Sequence, residues 1–200
     1  MNIQISPQSV KELREKTGAG MMNCKKALQE NKGDFEKAMD ALRKKGLASA
    51  EKKSSRKATE GIIEAYIHTG SKIGVLLELN CETDFVARRE EFKDLARLIS
   101  MQVAAFPDIN YVSMSDVPNT LLQKEKEIEI EKEDLKDKPE EIREKIVAGR
   151  LEKLFKSQTL LDQPYMKDSS ITVDELIKQK ISVLGENIQV SKFVRFTLGK

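Results

Sequence analysis

The spacing of apolar residues predicts helices in the first part of the chain. Three short apolar runs between residues 6 and 47 follow a helical period and are separated by turn sequences. Ser6 followed by Pro7 is typical of a helix start, and Gly46 is predicted to close the third helix. We therefore predict a three-helix domain over residues 1–47.

The pattern then changes from helical spacing to alternation. Apolar and polar residues alternate over residues 63–67 and 73–79, with a turn sequence at 68–72, which predicts an antiparallel hairpin. A third alternating run at residues 188–198 predicts a third strand. Residues 92–106 show one apolar helical face. A small antiparallel three-stranded sheet with packed helices is therefore expected.

A highly charged stretch, residues 116–157, is predicted to form a helical hairpin arm. Two antiparallel helices joined at residues 137–139 fit its composition, because proline is tolerated at a helix start and not inside a helix. Disorder in part of the stretch is the alternative. The predicted fold class is α+β, with the three-helix domain, a basic linker over residues 48–58 and a core domain over residues 59–200.

Positive charge is concentrated near the N-terminus. The chain has a formal net charge of +2, whereas residues 1–58 hold 14 Lys and Arg against 7 Asp and Glu. Residues 43–57 hold seven basic residues and one acidic residue, Glu51. Such a stretch suits contact with RNA or an acidic partner, or is a solvated linker. Because it lacks an aromatic residue on which a base could stack, we predict a tether for the N-terminal domain.

Few residues could perform catalysis or bind a metal ion. The sequence contains two cysteines, Cys24 and Cys81, and one histidine, His68. The predicted hairpin separates His68 from Cys81 by roughly 30 Å, because each strand residue advances the chain by about 3.3 Å. The sequence also contains no phosphate-binding glycine loop. We therefore predict no enzymatic activity and no metal, nucleotide or other cofactor.

The predicted sheet is small for a core of this size. Three strands leave two unpaired edges and a large exposed face. Proteins cover such features, often by pairing subunits. We therefore predict a homodimer.

A polar segment between the second strand and the long helix contains one aromatic residue. Phe85 follows Asp84 in the sequence NCETDFVARREE, residues 80–91. The Phe85 side chain either fills a gap in the core or projects toward a partner, and Asp84 is a candidate helix N-cap. Met21 and Met22 are adjacent flexible apolar residues, of which helical spacing places only one inside.

Two long segments resemble one protein family. They are LREKTGAGMMNCKKAL, residues 13–28, and NCETDFVAR, residues 80–88. Shorter similarities lie at residues 66–70, 139–150 and 185–188. Over essentially its whole length the chain resembles elongation factor Ts, the guanine nucleotide exchange factor of elongation factor Tu in bacteria and organelles.

The resemblance implies an N-terminal domain like a ubiquitin-associated three-helix module, and binding to elongation factor Tu in its GDP-bound and nucleotide-free forms. It implies that the phenylalanine at the position of Phe85 wedges between helices of the partner's GTPase domain. The wedge disturbs the magnesium and phosphate-loop region and releases GDP. The segment that approaches that domain comprises Thr83, Asp84, Phe85 and Val86.

Further positions match contacts of the family. The resemblance implies that Lys11, Arg14, Met21 and Met22 touch the same GTPase domain, and that His68 faces the partner's third domain. The core has room for one of the two similar halves that longer members contain, which agrees with a homodimer. The last predicted strand contains no cysteine, so a disulfide across a dimer is not available there.

One alternative function is a ubiquitin-associated-like adaptor that binds helices or RNA through residues 1–58 without exchange activity. It would leave the Phe85 segment without a role. The sequence resembles cyanobacterial and algal plastid members, which implies the bacterial cytoplasm or, for a plastid-encoded protein, the chloroplast stroma. No apolar run is long enough for a membrane span, and we expect no secretion, no membrane contact and no direct nucleic acid contact.

Overall fold

A computed structural model describes residues 5–136 and 138–199 of the chain. This part of the chain is of the α+β class, as predicted. Its helices are α1 (Pro7–Thr17), α2 (Met21–Glu30), α3 (Phe35–Lys53), α4 (Asp84–Ala87), α5 (Glu90–Ala105), α6 (Asn119–Ile130), α7 (Glu140–Lys156) and α8 (Val173–Leu184). Its strands are β1 (Glu60–Ile67), β2 (Ile73–Cys81), β3 (Pro164–Tyr165), β4 (Asp168–Thr172) and β5 (Ile188–Thr197).

The first three helices pack around a small apolar core, which confirms the three-helix prediction. The Ser6 hydroxyl caps α1 by accepting the backbone N–H of Ser9 at 3.0 Å, and Pro7 occupies the first turn. Asp34 caps α3 in the same way. The buried residues of this core are Val10, Leu13, Cys24, Ala27, Leu28, Ala38 and Leu42.

The predicted end of the third helix is wrong. Instead of stopping at Gly46, α3 continues to Lys53, so residues 48–53 of the predicted linker are helical. Gly46 is buried where α3 packs on α8, and a Cβ atom there would lie 3.1 Å from Ser182 Oγ. Close helix contact therefore explains this glycine. A domain division within residues 48–58 stays a prediction.

Ion pairs further connect α3 to α8. Arg43 Nη2 lies 3.1 Å from Glu175 Oε2, and Lys178 Nζ lies 3.5 Å from Glu51 Oε2. Such partly exposed pairs contribute little stability on their own. They show nevertheless that much of the basic stretch 43–57 is a docked helix, which corrects its interpretation as a flexible tether.

Three antiparallel strands form the main sheet in the order β1-β2-β5. The predicted hairpin and third strand are thus confirmed. In the hairpin, Glu60 pairs with Cys81 and Ile67 pairs with Gly74. His68 follows directly after Ile67, so His68 and Cys81 lie at opposite ends of the hairpin, as predicted.

The main core lies between the sheet and two helices. Val75, Leu77 and Leu79 of β2 alternate into it and are almost fully buried. Phe92 and Ile99 of α5 pack into the same core. Helix α8 also packs its apolar face into this core. Its buried residues there are Leu176, Ile177, Ile181 and Leu184.

A second sheet, formed by β3 and β4, was not predicted. These strands contain two and five residues. Runs this short do not establish an alternating pattern that could be distinguished from a loop.

The charged stretch forms the predicted arm. Helices α6 and α7 pack against each other, and Val147 and Leu135 are buried between the helices and their connection. Arg150 Nη1 donates to Glu129 Oε2 at 3.2 Å, and Arg150 also pairs with Asp134. Asp137, part of the predicted junction, lies outside the described residues. As in the rest of the described chain, neither helix is long and apolar enough to cross a membrane.

Candidate interaction surfaces

Phe85 projects from a short turn between β2 and α5. We call residues 83–87 the Phe85 turn; it consists of the four-residue helix α4 and its cap. The Phe85 side chain is 78% exposed, whereas Val86 and Ala87 are buried at 7% and 6%. The interpretation of Phe85 as a core residue is therefore wrong. Val86 lies in the core beneath the turn, so its side chain anchors the turn from inside.

The N-cap of α4 is Thr83, and not Asp84 as the sequence suggested. Thr83 has extended backbone geometry, and its Oγ1 accepts the backbone N–H of Val86 at 3.5 Å. Asp84 is the first residue of the helix, and its Oδ2 lies 2.7 Å from Arg88 Nη2. Both charged groups of this pair are solvent-exposed and stay accessible to a partner.

The segment before α4 is held by a residue more than a hundred positions away. Glu186 Oε2 accepts the backbone N–H groups of Glu82 at 3.1 Å and Thr83 at 3.0 Å. Glu186 Oε1 accepts the Thr83 hydroxyl at 2.6 Å. Sequence reasoning gave Glu186 no role, because a local pattern does not report a contact over this chain distance.

A second carboxylate makes the reciprocal contact. Glu82 Oε1 accepts the backbone N–H of Asn187 at 2.7 Å. The buried side-chain amide of Asn187 donates to the carbonyl oxygens of Ser54 at 3.2 Å and Arg56 at 2.7 Å. Three chain segments, after α3, before α4 and after α8, are thereby joined.

Cys81 lies directly behind this network and is unsuited to nucleophilic chemistry. Its side chain is fully buried, and its thiol donates to the Thr83 carbonyl oxygen at 3.1 Å. Burial, and secondly the negative charge of Glu186, raise the pKa of the Cys81 thiol to about 11. The reactive thiolate is therefore scarce at neutral pH.

The candidate contacts in the N-terminal helices lie on α1 and α2. Met21 and Met22 in the first turn of α2 are 47% and 76% exposed. The expectation that one of them is inside is wrong, because the buried face of α2 begins at Cys24. Lys11 and Arg14 are exposed on α1.

His68 occupies an exposed position at the end of the hairpin. Its backbone N–H donates to the Ile73 carbonyl oxygen at 2.9 Å. Its ring Nδ1 lies 3.0 Å from the Tyr66 hydroxyl oxygen. The tyrosine therefore restricts the orientation of the imidazole. Thr83–Val86 thus lie together in one turn, while Lys11 to Met22 and His68 belong to two other parts of the surface.

The side of the main sheet opposite the core is largely apolar and exposed, and it also carries an ion pair between Glu78 and Lys192. The pairing places Ala65, Leu76 and Val194 side by side across the three strands. The large apolar residues of this outer sheet face are Ile63, Ile67, Leu76, Val194, Phe196 and Leu198, all exposed. Apolar patches of this kind mark interaction surfaces.

Comparison with known proteins gives consistent similarities along the chain. The sequence matches the family described as Elongation factor TS over residues 6–200. It is 62% identical over 200 residues to "Elongation factor Ts, chloroplastic" of Guillardia theta, covering 100% of this chain and 91% of that protein. It is 59% identical over 197 residues to "Elongation factor Ts" of Synechocystis sp., covering 98% of this chain and 90% of that protein.

Proposed function

This chain belongs to the elongation factor Ts family, a family of translation elongation factors, and on that premise we propose that it is the exchange factor of elongation factor Tu. In this proposal it binds elongation factor Tu in the GDP-bound and nucleotide-free forms and promotes replacement of GDP by GTP. The observation that supports it most directly is the exposed Phe85 ring on a turn whose other apolar residues are buried.

Phe85 acts as an apolar wedge in the proposed mechanism. Its ring contacts water in the free protein and gains apolar contact when it enters a gap between helices of the partner's GTPase domain. This insertion disturbs the magnesium and phosphate-loop region of the partner and weakens GDP binding. Asp84 brings a carboxylate to the same place, while Thr83 caps the turn and Val86 anchors it.

Exchange of this kind requires that binding of the exchange factor and binding of the nucleotide are coupled. The exchange factor itself makes and breaks no covalent bond. A factor that contacts the nucleotide-free state of its partner better than the GDP-bound state shifts the partner toward release. By linkage, GDP weakens binding of the exchange factor to elongation factor Tu to the same extent as the exchange factor weakens binding of GDP. We therefore assign no catalytic residue and no cofactor to this chain.

The other candidate residues provide affinity rather than exchange. The exposed Met21 and Met22 offer flexible apolar contact to the GTPase domain, and Lys11 and Arg14 are exposed on the preceding helix. His68, at the far end of the hairpin, contacts the partner's third domain. A partner bound at the N-terminal helices, at His68 and at the Phe85 turn is held in one orientation on this chain.

The outer sheet face is the proposed contact between two copies of this chain. It carries exposed apolar residues on all three strands, from Ile63 of β1 through Leu76 of β2 to Phe196 of β5. A twofold pair of such faces would bury these side chains between two sheets. The protein in this proposal is a homodimer.

The relatives support a proposal about the location of the chain. The similar proteins named above come from a cyanobacterium and an algal plastid. We propose that the chain works in the cytoplasm of a bacterium or in the stroma of a plastid, without direct contact with nucleic acid or membrane. The alternative, an adaptor acting through the N-terminal helices, leaves the exposed Phe85 without a role.

The test is release of fluorescent GDP from elongation factor Tu with and without this chain. Acceleration that increases with the concentration of the chain and then saturates supports the proposed function. Binding of elongation factor Tu without faster release supports the adaptor instead.

A further inference from the structure

The hydrogen bonds within the Phe85 turn are too few to fix its orientation. Helix α4 has four residues, and a helix of one turn is unstable in isolation because nucleation costs more than so few hydrogen bonds return. The exposed Phe85 ring makes little contact that could fix its direction. The direction of the ring therefore comes from Val86 and Ala87, which are buried beneath the turn, together with the residues that hold its ends.

Glu186 supplies most of the polar contact at the first end. Its carboxylate accepts three hydrogen bonds from two consecutive residues, Glu82 and Thr83, within 2.6–3.1 Å. Hydrogen bonds to a carboxylate are stronger than those between neutral groups. Because the Thr83 hydroxyl donates to Glu186, its lone pairs remain available to accept the Val86 N–H, so Glu186 also orients the cap of α4.

Glu186 is itself held firmly. Gly185 ends α8 in the left-handed conformation at φ 86° and directs the chain away from the helix. The next residue, Asn187, is bound through its backbone by Glu82 and through its side chain to the carbonyl oxygens of Ser54 and Arg56. The carboxylate therefore projects from a segment that is fixed on both sides.

We propose that Glu186 is a positioning residue for the wedge, acting on nucleotide release through Phe85; this inference rests on the function proposed above. A wedge that is already oriented loses less conformational entropy on insertion, and more of its contact energy then acts on the partner. Loss of Glu186 lets the turn sample other orientations. The affinity from the remaining contacts stays, while the maximal rate of GDP release falls.

The test measures GDP release from elongation factor Tu over a concentration series of the chain. It separates the rate at saturation from the concentration that gives half of that rate. For Glu186→Ala we expect the saturating rate to fall about tenfold and the half-saturating concentration to change less than about threefold. A saturating rate for Glu186→Ala equal to that of the parent chain would overturn the proposal.

Two conservative variants keep the test independent of folding. Glu186→Gln retains the size and one acceptor oxygen, and Thr83→Val removes the hydroxyl from a residue of similar shape. Both are expected to reduce the saturating rate less than Glu186→Ala does, and in the same direction. If Glu186→Ala does not fold, parent saturating rates in these two variants overturn the proposal.

Asp168→Ala is the matched control. Asp168 Oδ1 also accepts a backbone N–H and a hydroxyl, both from Ser170, at 3.1 and 2.6 Å, but in the β3–β4 hairpin. This variant should keep the parent saturating rate. Hydrogen exchange gives a direct structural readout: in Glu186→Ala the amide of Thr83 should exchange faster, while the amides of Leu77 and Leu79 stay protected.

A double mutant distinguishes positioning from general damage. If Glu186 acts through Phe85, then Glu186→Ala should lower the saturating rate little further when Phe85 is already alanine. If the two substitutions instead lower the saturating rate independently, so that their fold-losses multiply in the double mutant, the proposal is contradicted. The two hypotheses also fail differently: unchanged exchange by Phe85→Ala refutes the wedge, whereas a loss in Phe85→Ala with none in Glu186→Ala refutes only the role of Glu186.

Discussion

Gly46 of α3 lies against Ser182 of α8, so close that a Cβ atom at position 46 would be 3.1 Å from Ser182 Oγ. The glycine sits inside a helix, where it is less favourable than alanine. Its presence there is explained by the approach of the two helices. This contact attaches the N-terminal helices to the core.

We predict that Gly46→Leu weakens this attachment. The larger side chain forces α3 away from α8, and overpacking of this kind costs about 1–3 kcal/mol. Thermal unfolding should show a lower Tm. The control is Gly149→Ala in α7, where a Cβ atom meets nothing within 4 Å. This control should gain about 0.5–1 kcal/mol in the free energy of unfolding; equal effects of the two substitutions would contradict the packing argument.

The outer sheet face gives a prediction about oligomeric state. Light scattering of the parent chain at micromolar concentration should give about twice the 22.7 kDa chain mass. Phe196→Glu should give the monomer mass, because a charge in an apolar interface is costly to bury. Leu154→Glu, on an exposed apolar residue of α7, should leave the dimer intact. A parent chain that is monomeric and fully active in exchange would refute the proposed dimer.

The basic stretch can be tested by removing charge from its exposed lysines. Replacing Lys52 and Lys57 by serine should lower the affinity for elongation factor Tu by less than about threefold, and chiefly at low salt, since exposed charges are screened. Arg56 is left in place because it contacts Glu82 at 3.5 Å. Loss of exchange at physiological salt would show that these lysines make specific contacts.

The buried thiol of Cys81 gives a prediction about pH. Its pKa is raised from 9.0 to about 11 in the folded chain, so the unfolded chain loses this proton first as the pH rises. The stabilising contribution is complete below pH 9 and is lost between about pH 9 and 11. Thiol labelling of the native chain should be slow at pH 8 and fast after denaturation. Rapid native labelling of Cys81, compared with Cys81→Ala, would contradict its burial.

The sequence was informative wherever a pattern is local. Alternation located β1, β2 and β5, and Ser6 and Pro7 marked the start of α1. It failed at Gly46 because a glycine that ends a helix and one that permits helix contact look the same in a sequence. Only the packing partner, Ser182, distinguishes them.

The candidate site was predictable in its position and not in its geometry. The segment around Phe85 was identified, but Thr83 and Asp84 are both good N-cap residues; the cap is Thr83, whose hydroxyl also donates to Glu186. That contact joins residues 103 positions apart. A spacing rule that applies within one element contains no information about such a contact.

Phe85→Ala shows whether Phe85 is an exposed wedge that drives GDP release. The variant should unfold at a temperature close to that of the parent chain. Its loss in free energy of unfolding should be well below the roughly 3–5 kcal/mol that truncation of a core phenylalanine costs. In stopped-flow release of fluorescent GDP from elongation factor Tu, its acceleration should be strongly reduced, since aromatic anchors commonly contribute about 2 kcal/mol or more at interfaces. A folded Phe85→Ala chain that releases GDP at the parent rate would contradict the claim.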